Sequence, residues 1–180
     1  MMHGILAAVA VGMPVLAAVV EWLGSIGISE RHHSHHDTFV ISAALTHSIA
    51  LAMVFMGVTG MLLVWLCEIG VFRADSMTIL AFFSTFILVS FVAWLFLRRY
   101  RVSLYDDFMD VRPFVGNVRS VIYDEIESME WTGLRTGSGY RDLVIYEDGE
   151  KYVRIPGMLN IEQILMRIDR YDVLARQSDK

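Results

Sequence analysis

Hydrophobic positions are spread unevenly along this chain. Three long apolar runs fill the first half, and short alternating runs fill the second. Met77 to Leu97 (MTILAFFSTFILVSFVAWLFL) carries no charged residue. A helix needs ~20 apolar residues to cross a ~30 Å hydrocarbon core, and this run is long enough. It ends in Arg98, Arg99, Tyr100 and Arg101. Trp94 and Tyr100 stand at the level where amphipathic rings favour the membrane interface. Phe39 to Cys67 is a second run, free of Asp, Glu, Lys and Arg over 29 residues. That is longer than a perpendicular crossing needs, so it tilts or its first turn lies at the interface. Ile5 to Leu23 is the first run and contains Pro14. The rival for this run is a cleaved signal peptide. The missing basic leader and the length of the run favour a retained helix.

Small residues recur every fourth position in two of these runs. Gly4, Ala8 and Gly12 form one row, and Ala44, Ser48, Ala52 and Gly60, with Met56 between, form another. Such rows let helix backbones approach closely in a membrane. The spacing predicts lateral packing through these two rows.

From Arg101 the period changes. Arg101–Tyr105, Met109–Arg112, Val118–Tyr123, Ile126–Thr132, Leu143–Tyr146 and Tyr152–Ile155 read as strands. Asp148 and Gly149 lie between the last two and predict a tight hairpin, because glycine takes positive φ cheaply. Three glycines between Gly133 and Gly139 mark a loop. After Pro156 and Gly157, Asn160 can cap a helix with Gln163 three residues on. Ile161, Ile164, Leu165, Ile168 and Tyr171 make its apolar stripe. The expected architecture is a helical membrane region, residues 1–97, with spans near 5–23, 39–67 and 77–97. An α+β domain follows over 98–180, an antiparallel sheet of six or seven strands closed by a C-terminal helix.

Composition supports this division. Hydrophobic residues make up 55% of the 180, and the mean hydropathy is +0.48, above the ~45–50% apolar content of ordinary soluble domains. Arg31 and Arg73 are the only basic residues before Arg98, which leaves thirteen basic and fifteen acidic residues from there on. With a net charge of −5, the chain lacks the basic face that nucleic acid requires. One cysteine, Cys67, excludes an internal disulfide. The cluster Arg98, Arg99 and Arg101 is the densest basic flank of any span. The positive-inside rule then predicts a cytoplasmic C-terminal domain and an N-terminus outside. The 24–38 loop falls inside and the 68–76 loop outside. Trp22, Trp65 and Trp94 are expected at the interfaces.

Roughly Arg98 to Tyr171 resembles the bacterial pleckstrin-homology-like (PH-like) domains that follow transmembrane helices. The resemblance rests on YRVSLYDDFMDVRPFVGNVRSVIYDEIESM, on LVIYEDGEKYVRIP and on the final helix. It covers less than half of the chain, and its motifs are structural. It implies a curved sheet plugged by the helix, a bacterial inner-membrane location, and a binding or scaffolding role without a catalytic residue. The loop after the first predicted strand carries Asp106, Asp107 and Asp110. Phosphoinositide recognition wants Lys or Arg there, so the sign is wrong for it.

Candidate chemistry is concentrated in histidine. His32, His33, His35 and His36, with Asp37, combine donors that suit zinc, nickel, copper or cobalt. A solvated loop titrating at about pH 6 to 7 is the plainer reading. His47 lies inside the second span, where an ionisable residue is costly and so a functional candidate. A neutral histidine bonded to a neighbouring helix, sharing a network with Thr46 or Ser48, explains it as well. Glu21, beside Trp22, reads as interfacial. Enzymatic readings are thin. Cys67 has no evident base beside it, and Asp124 and Glu125, if adjacent on a strand, point to opposite faces.

The sequence therefore predicts a non-enzymatic membrane protein with no cofactor. Its partners are the bilayer and another membrane protein or its own copies. Trp131, Arg135 and Tyr140 are candidates for the contact. The alternatives are a small metal- or proton-linked transport component using the His32–His36 loop and His47, and lipid sensing by the soluble domain.

Overall fold

The computed structural model describes residues 2–26, 37–133 and 141–174. Three helices are long and apolar enough to cross a membrane: α1 (Met2–Ile26), α2 (Ala43–Glu68) and α3 (Ser76–Arg99). They form one compact unit. Its outer surface is rich in large apolar side chains such as Leu51, Phe55, Phe82 and Val89. Water would penalise that surface, and hydrocarbon accommodates it.

Of the two rows the spacing picked out, only Gly60 is among the buried residues that hold these helices together. Helix α2 buries Thr46, Ala50, Met53, Gly57, Gly60 and Val64. Helix α1 buries Ala10, Pro14 and Ala17. Gly4, Ala8, Gly12, Ala44, Ser48 and Ala52 face outwards. Glycine serves close approach at two buried positions. A Cβ on Gly57 would sit 2.7 Å from the Ala10 carbonyl oxygen, and one on Gly60 would sit 2.7 Å from the Phe83 ring. Lipid tails are as apolar as the helices, so packing and hydrogen bonds drive the association. One such bond, from Ser84 Oγ to the Leu6 carbonyl at 3.0 Å, joins α3 to α1. It contributes about 0.6 kcal/mol.

The α2–α3 connection ends in a cap. Thr78 donates to Asp75 Oδ2 through its backbone N–H at 2.9 Å and through its hydroxyl at 2.7 Å. An acceptor before the first turn satisfies donors that have no intrahelical partner. These hydrogen bonds hold the Asp75 carboxyl below the usual carboxylate range.

Among the described residues, the second unit has seven antiparallel strands in two sheets. They are β1 (Asp37–Val40), β2 (Arg101–Leu104), β3 (Phe108–Arg112), β4 (Arg119–Ile122), β5 (Ser128–Thr132), β6 (Asp142–Glu147) and β7 (Glu150–Ile155). The sheets have the orders β1-β2-β3-β4 and β5-β6-β7. The six strands expected after Arg98 are all present, within three residues at either end. The seventh is a correction. Residues 37–40 form a strand rather than the start of the second span, and β1 pairs with β2 in the register Phe39↔Val102 and Val40↔Arg101. Its segment therefore belongs with the C-terminal unit, and the division is not one cut at Arg98. Four residues ahead of an apolar run carry too little periodicity to separate strand from helix.

Alternation supplies the core of this unit. Val102, Leu104, Met109, Val111 and Val121 are buried on β2 to β4, and Leu143, Ile145 and Ile155 on β6 and β7. The hairpin forms as expected, with φ of 50° at Asp148 and 74° at Gly149. A helix of 8 residues, α4 (Ile161–Ile168), is capped by Asn160, whose side chain accepts from the Gln163 N–H at 3.4 Å. It buries Ile161, Ile164, Leu165 and Ile168. Tyr171 falls outside α4, in a short 3₁₀ turn, and is exposed.

Candidate functional site

A polar cluster lies at one end of the helical unit. Its members come from three helices. Glu21 is near the end of α1, His47 is in the second turn of α2, and Trp94 and Arg98 close α3. Trp94 and Arg98 are four residues apart and so share a face. Glu21 Oε2 is 2.9 Å from His47 Nε2. Trp94 Nε1 donates to Glu21 Oε1 at 2.8 Å. Arg98 places a guanidinium nitrogen 3.5 Å from the same oxygen and stacks over the Trp94 ring at 5.1 Å. The Glu21 side chain is 12% exposed, that of His47 is 48% exposed, and Trp94 is buried.

One carboxylate thus receives a ring N–H, an indole N–H and a guanidinium. The cation offsets the cost of burying an acid beside hydrocarbon. His47 reaches Glu21 as a donor through Nε2, which leaves Nδ1 as the basic nitrogen.

This arrangement bears on three expectations. Glu21, read as interfacial, is the acceptor on which the cluster converges. Thr46 and Ser48 do not share a network with His47; their hydroxyls donate back to the carbonyls of Ala43 and Ala44. Trp94 is buried inside the bundle rather than facing outwards. The sequence held one signal for the cluster: with alternating helix directions, positions 21, 47 and 94–98 all fall at the same end. Which faces meet there was not legible.

The other predicted site residues are dispersed. Trp22 and Trp65 are exposed, at the end of α1 and near the end of α2, as interface rings would be. The Arg99 side chain donates to the Gly116 carbonyl at 2.8 Å, and Arg101 is exposed at the start of β2. Asp37 lies 3.6 Å from Arg167 in an exposed ion pair. His32, His33, His35 and His36 lie outside the described residues, as do Arg135 and Tyr140. Among the described residues no three His, Cys, Asp or Glu side chains converge as metal ligands. Trp131 is half-buried and lines a groove of about 430 Å³ with Arg141, Gly157, Leu159 and Asn160. Asp124 and Glu125 are in a 3₁₀ turn rather than on a strand. Asp124 is 3.8 Å from Arg170.

Two phenols are held in the second unit. Tyr123 donates to the Tyr105 carbonyl at 2.9 Å, and burial raises its pKa to about 12. Tyr100 donates to the Arg154 carbonyl at 3.1 Å, and burial raises it as well.

No protein-family model matches this chain, nor does any curated protein or any solved structure.

Proposed function

We propose that this chain is a non-enzymatic, membrane-anchored PH-like module that associates laterally with copies of itself or with another membrane protein. The observation that carries the reading is the two outward rows of small residues on α1 and α2. The intramolecular contacts use Ala10, Pro14, Ala17, Ala50, Gly57 and Gly60, while Gly4, Ala8, Gly12, Ala44, Ser48 and Ala52 remain outside. A Cβ on Gly4 or Gly12 would meet nothing within 4 Å. Small residues gain little from lipid and allow a second helix close approach.

Sheets of four and three strands followed by an amphipathic helix support the PH-like part of the reading. The chain differs from a simple tail-borne domain, because α2 and α3 intervene between β1 and β2. A cytoplasmic placement in a bacterial inner membrane rests on Arg98, Arg99 and Arg101. The β1–β2 pairing requires the segment before α2 and the segment after α3 to share one side, so the two are placed together.

Chemical crosslinking and mass measurement in mild detergent test the proposal. Dimers or a co-purifying membrane protein are expected, and Gly12→Leu with Ala52→Leu should abolish them. A strictly monomeric protein with no companion would count against it.

The Glu21–His47 pair favours a second reading, a proton-linked membrane component. Proton flux into liposomes that Glu21→Gln abolishes would support it. Metal binding no tighter than that of an isolated His-rich peptide, measured by calorimetry, would remove the metal-linked form.

A further inference from the structure

The four-stranded sheet has a basic end and an acidic end, and the covalent path of the chain joins the basic end to the helices. The register Val40↔Arg101↔Arg112 makes one row across β1, β2 and β3. Two residues separate Val40 from α2, and one separates Arg101 from α3. The end of the sheet carrying this row is thus tethered twice, within a few residues of a membrane boundary. The β3–β4 connection, residues 113–118, leaves from the same end. It contains no acidic residue, and Val115 and Val118 on it are exposed. Arg112 and Arg119 flank it and are exposed; the Arg119 guanidinium donates to the Tyr152 carbonyl and lies over the Tyr152 ring, with its outer face towards solvent. The opposite end carries Asp106 and Asp107 in the β2–β3 turn and Asp37 at the far end of β1, where Arg167 of α4 lies 3.5 Å from Asp106 and 3.6 Å from Asp37.

We propose that the 113–118 loop and the Arg101–Arg112 row form a bilayer-contacting surface that binds anionic lipid headgroups. Val115 and Val118 enter the interfacial layer, and Arg101, Arg112 and Arg119 meet lipid phosphates. Exposed apolar residues beside cations are the composition that interfacial binding selects. An anionic leaflet attracts such cations within a Debye length, about 10 Å at 0.1 M salt. The Arg99 side chain donates to the Gly116 carbonyl and holds the loop. The surface is distinct from the acidic β2–β3 turn, whose charge opposes headgroup binding. It shapes the anchor into a spanning part and a part lying on the membrane.

The full-length protein in nanodiscs tests this. A Cys67→Ser background takes a fluorophore at Val115→Cys or, as the far-end control, at Asp107→Cys, with nitroxide-headgroup lipid as quencher. In discs containing phosphatidylglycerol, quenching at position 115 should be roughly threefold that at 107. High salt, neutral phosphatidylcholine discs or Arg112→Gln with Arg119→Gln should reduce the ratio, while Arg112→Lys with Arg119→Lys should keep it. Equal quenching at the two positions overturns the proposal, as does quenching at 115 that ignores lipid charge. A label shielded from lipid by a second copy of the chain also overturns it, by assigning this end to self-contact.

Discussion

Glu21 shows how much one side chain can hold in a bundle that lipid does not squeeze together. Its carboxylate accepts from Trp94 and lies against His47 and Arg98. Glu21→Ala leaves the buried Trp94 N–H without its acceptor, a loss of about 1–3 kcal/mol. A lower thermal midpoint in detergent micelles is expected, and Trp94→Phe in the same background should add little further loss. If the two losses add in full, the side chains do not act as one cluster. Asp75 makes a second prediction at this scale. Its carboxyl is depressed by bonds that exist only when α3 is folded. The capped state is thus favoured above about pH 4, where the unfolded chain is also ionised, and the advantage fades as pH falls through the folded value. Asp75→Ala should lower the midpoint at neutral pH, and the gap to the parent protein should narrow in acid.

At the scale of elements, Gly57 and Gly60 set the distances between α1, α2 and α3. Gly57→Val drives a side chain into the Ala10 carbonyl, and Gly60→Val drives one into Phe83. Overpacking of this kind costs about 1–3 kcal/mol. Thermal unfolding should show both losses, whereas Gly4→Ala and Gly12→Ala should leave the midpoint of the isolated chain unchanged. These pairs separate two meanings of the same spacing. A small residue every fourth position was legible from the sequence, but the face that packs internally was not. All three runs are apolar around most of their circumference, so periodicity gives no direction. In the second unit the alternation of Val102 and Leu104, and of Met109 and Val111, gives each strand one inward face. There strands and hairpin were readable in advance.

At the scale of the whole molecule, β1 joins a segment between the first and second spans to the sheet that follows the third. Both must then lie on one side of the membrane, and the α2–α3 connection on the other. Cysteines placed at Thr38 and Asp107 in a Cys67→Ser background should react together with a membrane-impermeant maleimide from one face only. One at Arg73 should react from the opposite face. Labelling of all three from the same side would break the three-span topology.

Local sequence alone determined the three apolar spans, six of the seven strands, the Asp148–Gly149 turn and the Asn160 cap. Each depends on length, on a period or on a residue's own conformational preference. Tertiary structure alone decided that Glu21 meets His47, Trp94 and Arg98, that Asp37–Val40 is a strand, and that Gly57 and Gly60 face inwards. Those contacts join positions far apart in the chain, and a nearly uniform apolar helix does not encode which of its faces will find a partner.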